Sequence, residues 1–337
     1  MEVKRYIKSL MLFNKKVLLF LIITFFFFSF KNKTIFFSVP SDFPKLVVPK
    51  ENPITSEKIR LGKMLFFDKM LSRDSSISCA SCHNPKYAFT DQLKKAKGVK
   101  DRIVSRNTPT LTNIAYNHSF LRDGVNPSLE AQVIVPIHEK NEFDFHILLV
   151  AERMKKNKKY VELSKKAFGE EPNPKVISNA IASYERTLIS SNSRFDQYNF
   201  HGDSLALNAS EIRGMKLFYN KLNCSSCHSG FNFSNGEIVN TGLYENYNDV
   251  GKMRVTLDQS DNGKFKVPTL RNISITYPYM HDGNIKTLEE VIDHYIKGGE
   301  KNPNKDERIK PFNLSKLQKQ DLIAFLKCLT DSSFIAR

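Results

Sequence analysis

Two cysteine motifs are the parts of this chain whose residue types and spacing could do chemistry. Residues 79–83 read Cys-Ala-Ser-Cys-His, and residues 224–228 read Cys-Ser-Ser-Cys-His. Two thiols at this spacing can form thioethers with the vinyl groups of a haem, and the imidazole that follows can bind its iron. A redox dithiol or half of a zinc site is the alternative for one motif, but two copies that each carry the histidine favour haem. We therefore expect two covalently bound haem c groups, held by Cys79, Cys82, His83, Cys224, Cys227 and His228.

The segments around the two motifs repeat along the chain, which indicates two equivalent modules. Residues 61–68 precede the first motif and residues 213–220 precede the second, and both stretches have an amphipathic helical pattern. After the motifs, Thr-Pro-Thr-Leu-Thr-Asn-Ile at 108–114 matches Val-Pro-Thr-Leu-Arg-Asn-Ile at 267–273, an offset of 159. We expect a mostly α-helical fold of two tandem cytochrome-c-like haem domains packed together, over residues 50–195 and 205–332.

The same offset compares the side chains that could approach each iron from the face opposite its histidine. The candidate ligands of the second half align with weak ligands or non-ligands of the first: Tyr295 with Pro136, His281 with Arg122, and Met280 with Leu121. A phenol oxygen can bind ferric haem iron, whereas proline cannot. The asymmetry predicts an open first haem that activates a small molecule and a closed second haem that carries electrons. The alternative is that these side chains only pack the core.

The N-terminal segment predicts export. Residues 17–30 form an apolar run with Lys15 and Lys16 before it and Lys31 after it. A membrane span needs about 20 apolar residues, so this shorter run suits the apolar region of a secretory signal. No small-x-small cleavage pattern follows, and an uncleaved anchor is therefore the alternative. We predict that residues 1–33 are a signal peptide or membrane anchor and that the rest of the chain is periplasmic.

Composition limits the range of partners. The formal net charge is +16, and residues 1–33 contribute +6 of it, which leaves +10 for the remainder. A solvated lysine-rich surface explains this charge, and a positive face that steers an acidic electron donor is the sharper alternative. No basic run is interleaved with aromatics on a recognisable module, so nucleic acid is not an expected partner. The fifth cysteine, Cys328, lies in an apolar run and is interpreted as a buried small hydrophobe.

On these residues the chain resembles the bacterial di-haem cytochrome c peroxidases, including the related MauG enzymes. The resemblance covers about residues 50–330, with matching stretches at 61–68, 78–83, 88–91, 106–111 and 266–283. It implies that the N-terminal haem is the peroxidatic one and that hydrogen peroxide is the substrate. It also implies a cytochrome or similar redox protein as the electron donor. Members of the family are often dimers, so the resemblance leaves a homodimer open.

The resemblance further implies roles for side chains between and above the haems. A glutamine and a carboxylate line the peroxidatic pocket of the family, and Gln132 and Glu142 match them. One carboxyl group can take a proton from the near oxygen of peroxide and return it to the leaving oxygen. Glu139 is the rival for this role. The family also holds calcium through a side-chain amide and two backbone carbonyls, which match Asn107, Thr276 and Pro278.

Three departures from the family pattern bear on function. The family's Trp-Asp-Gly-Arg stretch reads Arg-Asp-Gly-Val at 122–125, and the chain has no tryptophan. Residues 84–105 contain no histidine to bind the resting first iron. Tyr295 stands where the peroxidases have methionine, as in the MauG type, with Met280 as the fallback ligand. The main hypothesis is reduction of peroxide to water. The alternatives are a MauG-like oxidase acting on a protein or organic substrate, and a non-catalytic di-haem electron carrier.

Overall fold

The computed structural model describes residue 37 and residues 39–336, and its regular structure is almost entirely helical. The two strands it contains are two residues long and antiparallel, β1 Ile238–Val239 and β2 Phe265–Lys266. Single turns of 3₁₀ or π helix lie at Lys69–Leu71, Pro85–Tyr87, Val99–Asp101, Ile114–Tyr116, Leu217–Lys221, Cys224–Ser226 and Gln259–Asp261. The α-helices are α1 Ser56–Phe67, α2 Cys79–Cys82, α3 Leu129–His138, α4 Ile147–Lys155, α5 Lys158–Phe168, α6 Pro174–Glu185, α7 Arg194–Asn199, α8 Ala209–Lys216, α9 Met253–Thr256, α10 Leu288–Lys297, α11 Lys316–Cys328 and α12 Ser332–Ile335.

Polar side chains fix where the helices that lead into the two motifs begin. The Thr55 hydroxyl accepts a hydrogen bond from the Lys58 amide at the start of α1. Asn208 and Glu211 form a reciprocal capping box at the start of α8. Such caps satisfy amide groups that have no partner inside the helix. The predicted helices ahead of both motifs are therefore confirmed, with starts set by local chemistry.

The predicted internal repeat is confirmed in the backbone. Helix α3 covers 129–138 and α10 covers 288–297, so both helix ends keep the offset of 159. Asn113 and Asn272, also 159 apart, both have left-handed backbone, with φ of 53° and 60°. Asparagine tolerates this conformation better than most residues. The chain thus folds the same local structure twice, as two tandem cytochrome-c-like modules.

Close helix crossings hold each module together next to its motif. A Cβ added at Gly62 on α1 would lie 1.8 Å from the Ala180 carbonyl oxygen on α6. A Cβ at Gly214 on α8 would lie 1.9 Å from the backbone carbonyl oxygen of Asp321 on α11. Neither approach leaves room for a side chain, so both positions need glycine. The crossings fix the ends of the helices from which the two motifs follow.

The second module has an apolar core, and Cys328 belongs to this core. The Phe325 ring packs 5.3 Å from the Phe218 ring and 6.3 Å from the Phe233 ring. Cys328 is 2% exposed, which confirms its interpretation as a buried small hydrophobe. Both modules belong to one compact unit, Val39–Arg337. The exact domain bounds, 50–195 and 205–332, stay a prediction.

No helix among the described residues is both long and apolar enough to span a bilayer. The predicted export segment, residues 1–33, lies outside the described residues.

A buried ion pair anchors the repeated stretch 267–273 of the second half. The Arg271 guanidinium donates two hydrogen bonds of 2.8 Å to the carboxylate of Asp196 on α7, and both side chains are fully buried. Arg271 also donates from Nε to the Phe231 carbonyl oxygen at 2.8 Å. The neighbouring Thr269 and Leu270 line the central cavity described below. Removing one partner of such a pair leaves a buried charge without compensation.

Replacing Asp196 with asparagine should therefore destabilise the holoprotein by about 3–5 kcal/mol. Guanidinium denaturation followed by far-UV circular dichroism and haem absorbance measures the loss. Glu152→Gln, which breaks an exposed pair with Lys155, is the control and should leave the midpoint nearly unchanged. Equal shifts for the two variants would show that the Asp196–Arg271 pair has no special role.

Candidate functional site

The first motif forms a short helix whose three functional side chains line one cavity. Ser78 and Ser81 cap this helix reciprocally, and the His83 amide donates to the Cys79 carbonyl at 2.8 Å. The Nδ1 atom of His83 lies 2.9 Å from the Phe89 carbonyl oxygen. Because that carbonyl holds Nδ1, the other ring nitrogen, Nε2, is left to bind a metal.

The second motif reproduces this arrangement. The Nδ1 atom of His228 lies 3.1 Å from the Phe233 carbonyl oxygen. Phe89 and Phe233 both have left-handed backbone, with φ of 60° and 51°, and this turn brings each carbonyl back to its histidine. Burial lowers the pKa of both His83 and His228. Both imidazoles are therefore neutral, as iron binding requires.

All six predicted attachment residues line a single cavity of about 1020 Å³. Pockets for ordinary small ligands have volumes of roughly 300–1000 Å³, so this cavity is large. Burial raises the pKa of the Cys82 and Cys224 thiols to about 12. The cavity wall also carries cations that suit the propionates of haem: Lys95, Arg106, Arg122, Arg254, Lys266, Arg308 and Lys310. Thiol spacing, histidine orientation, cavity size and charge all fit two haem c groups.

The structure brings Gln132 and Glu142 to the wall of this cavity beside the first motif. Gln132 lies on α3, and its Oε1 atom is buried without a hydrogen-bond partner among the described residues. Glu142 follows α3 in a turn in which its amide donates to the Glu139 carbonyl at 3.0 Å. Burial, and then the nearby Glu139, raise the pKa of Glu142 to about 7. A carboxyl group with this pKa can both take and give a proton near neutral pH.

Sequence reasoning missed Gly98, which holds the Glu142 turn in place. The Val99 amide donates to the Glu142 carbonyl at 2.9 Å. A Cβ at Gly98 would lie 2.1 Å from the Asn141 carbonyl oxygen and 2.6 Å from the backbone carbonyl oxygen of Glu142. Only glycine allows the two segments to approach so closely. No sequence motif marks Gly98, because its role depends on a segment more than 40 residues away.

A second buried carboxyl group, Glu185, was also missed. It ends α6, lines the cavity and is 7% exposed. Burial raises its pKa to about 8, and Glu185 in turn helps to raise the pKa of Cys79. The first motif is therefore next to a carboxyl group that is neutral below about pH 8. The helical pattern of α6 gave no sign that this acid faces inward.

Tyr295, one of the candidate ligands of the second half, lines the cavity and is influenced by the thiols of the second motif. Burial, followed by Cys224 and Cys227, raises the pKa of Tyr295. The His281 ring instead stacks on Phe265, with ring centroids 3.9 Å apart and an interplanar angle of 13°. These contacts favour Tyr295 over His281 as the ligand.

Met280 lines the cavity as well, with a strained backbone φ of 71°. Its counterpart Leu121 has a φ of 65°. Leucine cannot bind iron, so the strain belongs to the repeated scaffold and does not mark Met280 as a ligand. At the place of Tyr295, the first half has Pro136 inside α3.

The three predicted calcium ligands all belong to the cavity wall, but the side-chain oxygen of Asn107 has another partner. Asn107, Thr276 and Pro278 all line the cavity. The Arg122 guanidinium donates from Nη2 to the side-chain oxygen of Asn107 and from Nε to its backbone oxygen, the latter at 3.1 Å. Because a cation already binds the amide oxygen, this donor set does not fit calcium. Calcium at this site stays a prediction from the resemblance.

Two family models match consecutive parts of the chain. The di-haem cytochrome c peroxidase model matches residues 56–204, and the cytochrome c model matches residues 212–330. The matched cytochrome c modules imply covalently bound haem c.

Curated relatives match most of the chain. The methylamine utilization protein MauG of Methylorubrum extorquens is 42% identical over 285 residues, which cover 83% of this chain and 80% of the relative. A cytochrome-c peroxidase of Pseudomonas sp. strain SCT is 35% identical over 322 residues, which cover 86% of this chain and 85% of the relative.

A solved structure gives the same result. The crystal structure of a MauG-like protein associated with microbial copper homeostasis is 32% identical, with a TM-score of 0.83. The match covers 88% of this chain and 96% of the MauG-like chain. The family includes cytochrome-c peroxidases, which are oxidoreductases. The chain therefore belongs to the di-haem cytochrome c peroxidase and MauG family.

Proposed function

We propose that this protein is a periplasmic peroxidase that reduces hydrogen peroxide to water at its N-terminal haem. Electrons come from a cytochrome c or another small redox donor and enter through the C-terminal haem. The observation that carries the proposal is the asymmetry of the two equivalent helices. Helix α3 presents Gln132 and Pro136 to the cavity, whereas α10 presents Tyr295 at the place of Pro136. The apolar run at residues 17–30 supports the periplasmic location, and a homodimer stays a prediction.

In this proposal Cys79, Cys82 and His83 hold the first haem, and Cys224, Cys227 and His228 hold the second. When bound, the haems would supply iron that exchanges single electrons with the donor and with peroxide. Each peroxide molecule takes up two electrons and two protons and yields two water molecules. The protein must therefore deliver protons to peroxide beside the first haem.

Glu142 and Gln132 are suited to that proton transfer. With its pKa raised to about 7, Glu142 accepts a proton from one peroxide oxygen and returns it to the oxygen that leaves. The unpartnered Oε1 of Gln132 can accept a hydrogen bond from the peroxide O–H. A buried acceptor without a partner is costly, so a ligand that supplies the donor is favoured at this position.

A MauG-like oxidase acting on a protein or organic substrate is the second candidate. The 42% identity to the methylamine utilization protein MauG favours it, as does the position of Tyr295 beside the second motif. The missing tryptophan separates this chain from the family pattern that both candidates share. A di-haem electron carrier without catalysis is the remaining outcome of the tests below.

The resting ferric spectrum and peroxide turnover distinguish these functions. We expect one high-spin haem and one low-spin haem, with the high-spin signal changing when peroxide is added. Reduced cytochrome c or a dye donor should then be oxidised, two electrons for each peroxide consumed. Two low-spin haems with no response to peroxide would leave only the electron carrier. A response to peroxide without donor turnover would favour the oxidase.

Replacing Glu142 with glutamine should lower kcat/KM for peroxide by about 10²–10⁴-fold, because an amide cannot carry the proton. Stopped-flow absorbance of the first haem measures the reaction, and the resting spectrum should be unchanged. Glu139→Gln is the matched control, since Glu139 is the rival carboxylate on the same turn. If the loss appears in Glu139→Gln and not in Glu142→Gln, the roles are reversed.

The pH dependence of the same reaction tests the assignment again. The base is the deprotonated carboxylate, so kcat/KM should rise with pH and level off above about pH 7. Glu142→Gln should remove this rise. Glu139→Gln removes a negative neighbour that raises the pKa of Glu142, so it should move the rise to lower pH. A rise that survives unchanged in Glu142→Gln would assign it to another group.

Replacing Tyr295 with phenylalanine should change the spectrum of the second haem and leave that of the first unchanged. Electron paramagnetic resonance of the ferric protein separates the two haems and measures the change. The control is Met280→Leu, which should leave both signals as they are. A silent Tyr295→Phe together with a perturbed Met280→Leu would make Met280 the ligand.

A further inference from the structure

The junction between the two modules contains an arginine at the position where the resembled family has tryptophan. Arg122 is equivalent to His281 through the offset of 159, and both residues contact Asn107. The Arg122 guanidinium donates to the side-chain and backbone oxygens of Asn107. The Asn107 amide in turn donates to the His281 carbonyl oxygen at 2.9 Å. Asn107 is 3% exposed, so these contacts lie inside the protein.

The same arginine is tied to both modules through its backbone. The Lys266 amide donates to the Arg122 carbonyl oxygen at 2.7 Å, and Lys266 belongs to the second module. The Lys266 ammonium reaches back to the Ser119 carbonyl oxygen at 2.8 Å in the first module. The amide nitrogen of the Asn107 side chain donates to the Leu93 carbonyl oxygen at 2.9 Å. With its amide nitrogen so engaged, Asn107 directs its side-chain oxygen to the guanidinium.

The charges around Arg122 leave little room for a second cation. Burial, and then Arg106, lower the pKa of Arg122 to about 10, while Asp282 and Asp91 favour its charged form. Arg106 is itself neutralised by Asp123 at 2.7 Å and Asp249 at 2.6 Å. Arg122 therefore stays charged at neutral pH. A divalent ion on the Asn107 oxygen would lie directly against this guanidinium and be repelled by it.

We propose that the Arg122 guanidinium is the resident cation of the junction and takes the place of calcium in this chain. It donates hydrogen bonds to the side-chain and backbone oxygens of Asn107, and it does so as a side chain of the protein itself. The junction is therefore formed without a metal and does not respond to chelators. The contacts of Asn107 do not depend on the proposed reaction. A calcium measurement therefore tests the role of Arg122, and peroxide turnover separately tests the proposed function.

The first test uses the wild-type holoprotein, passed through chelator-treated buffer. Its calcium content is measured by mass spectrometry, and its melting temperature is measured with EGTA and with added calcium chloride. We expect far less than one calcium ion per chain and the same Tm in both buffers. About one tightly bound calcium ion per chain, or a Tm raised by roughly 5 °C in calcium, would overturn the proposal.

Two variants test the role of the side chain itself. Arg122→Met frees the Asn107 oxygen, so its Tm should fall and calcium should restore part of the loss. The matched control is Arg254→Met, which removes a neighbouring cation bound to Asp123 at 2.7 Å but not to Asn107. Its Tm should show no calcium response. An Arg122→Met protein as stable as wild type and insensitive to calcium would reject the assignment. If this variant does not fold, the wild-type calcium content still decides.

Discussion

The hydrogen bond between each motif histidine and a carbonyl a few residues later is the interaction on which the rest of the site depends. It commits Nδ1 of His83 to Phe89 and Nδ1 of His228 to Phe233, and so determines which nitrogen is left for a metal. Both carbonyls reach their histidines through a left-handed residue that is costly for phenylalanine. Aromatic packing supports the turn in both modules: the Phe89 ring lies 6.1 Å from the Phe66 ring, and the Phe233 ring lies 6.0 Å from the Phe218 ring.

With the histidine face fixed twice in the same way, the opposite face alone can differ between the modules. Helices α3 and α10 have equal lengths and matching ends, and the strained residues Leu121 and Met280 have nearly the same φ. The scaffold is therefore common, and any functional difference between the modules must come from side chains. A few positions suffice for a difference: Pro136 stands in the first half where the second half has Tyr295, and the two helices still keep matching ends.

How much of this could be predicted from the sequence depended on the distance between interacting residues. The repeat, the helices ahead of the motifs and the burial of Cys328 follow from local patterns, and all are confirmed. The contact of Gly98 with the Glu142 turn and the inward position of Glu185 depend on tertiary packing that no local pattern reveals. Asn107 shows an intermediate case. Asn107, Thr276 and Pro278 all line the same cavity, but the guanidinium that engages the Asn107 oxygen comes from Arg122.

The absence of tryptophan acquires a physical meaning at the same place. A tryptophan between two haems can be oxidised and act as an intermediate site in electron transfer. A guanidinium is already positive and resists oxidation. The residue at this position therefore supplies fixed charge and cannot relay electrons. Both motifs nevertheless line the same cavity. Asn107 ties the two modules together at this position through four hydrogen bonds: it donates to Leu93 and to His281, and it accepts two from Arg122.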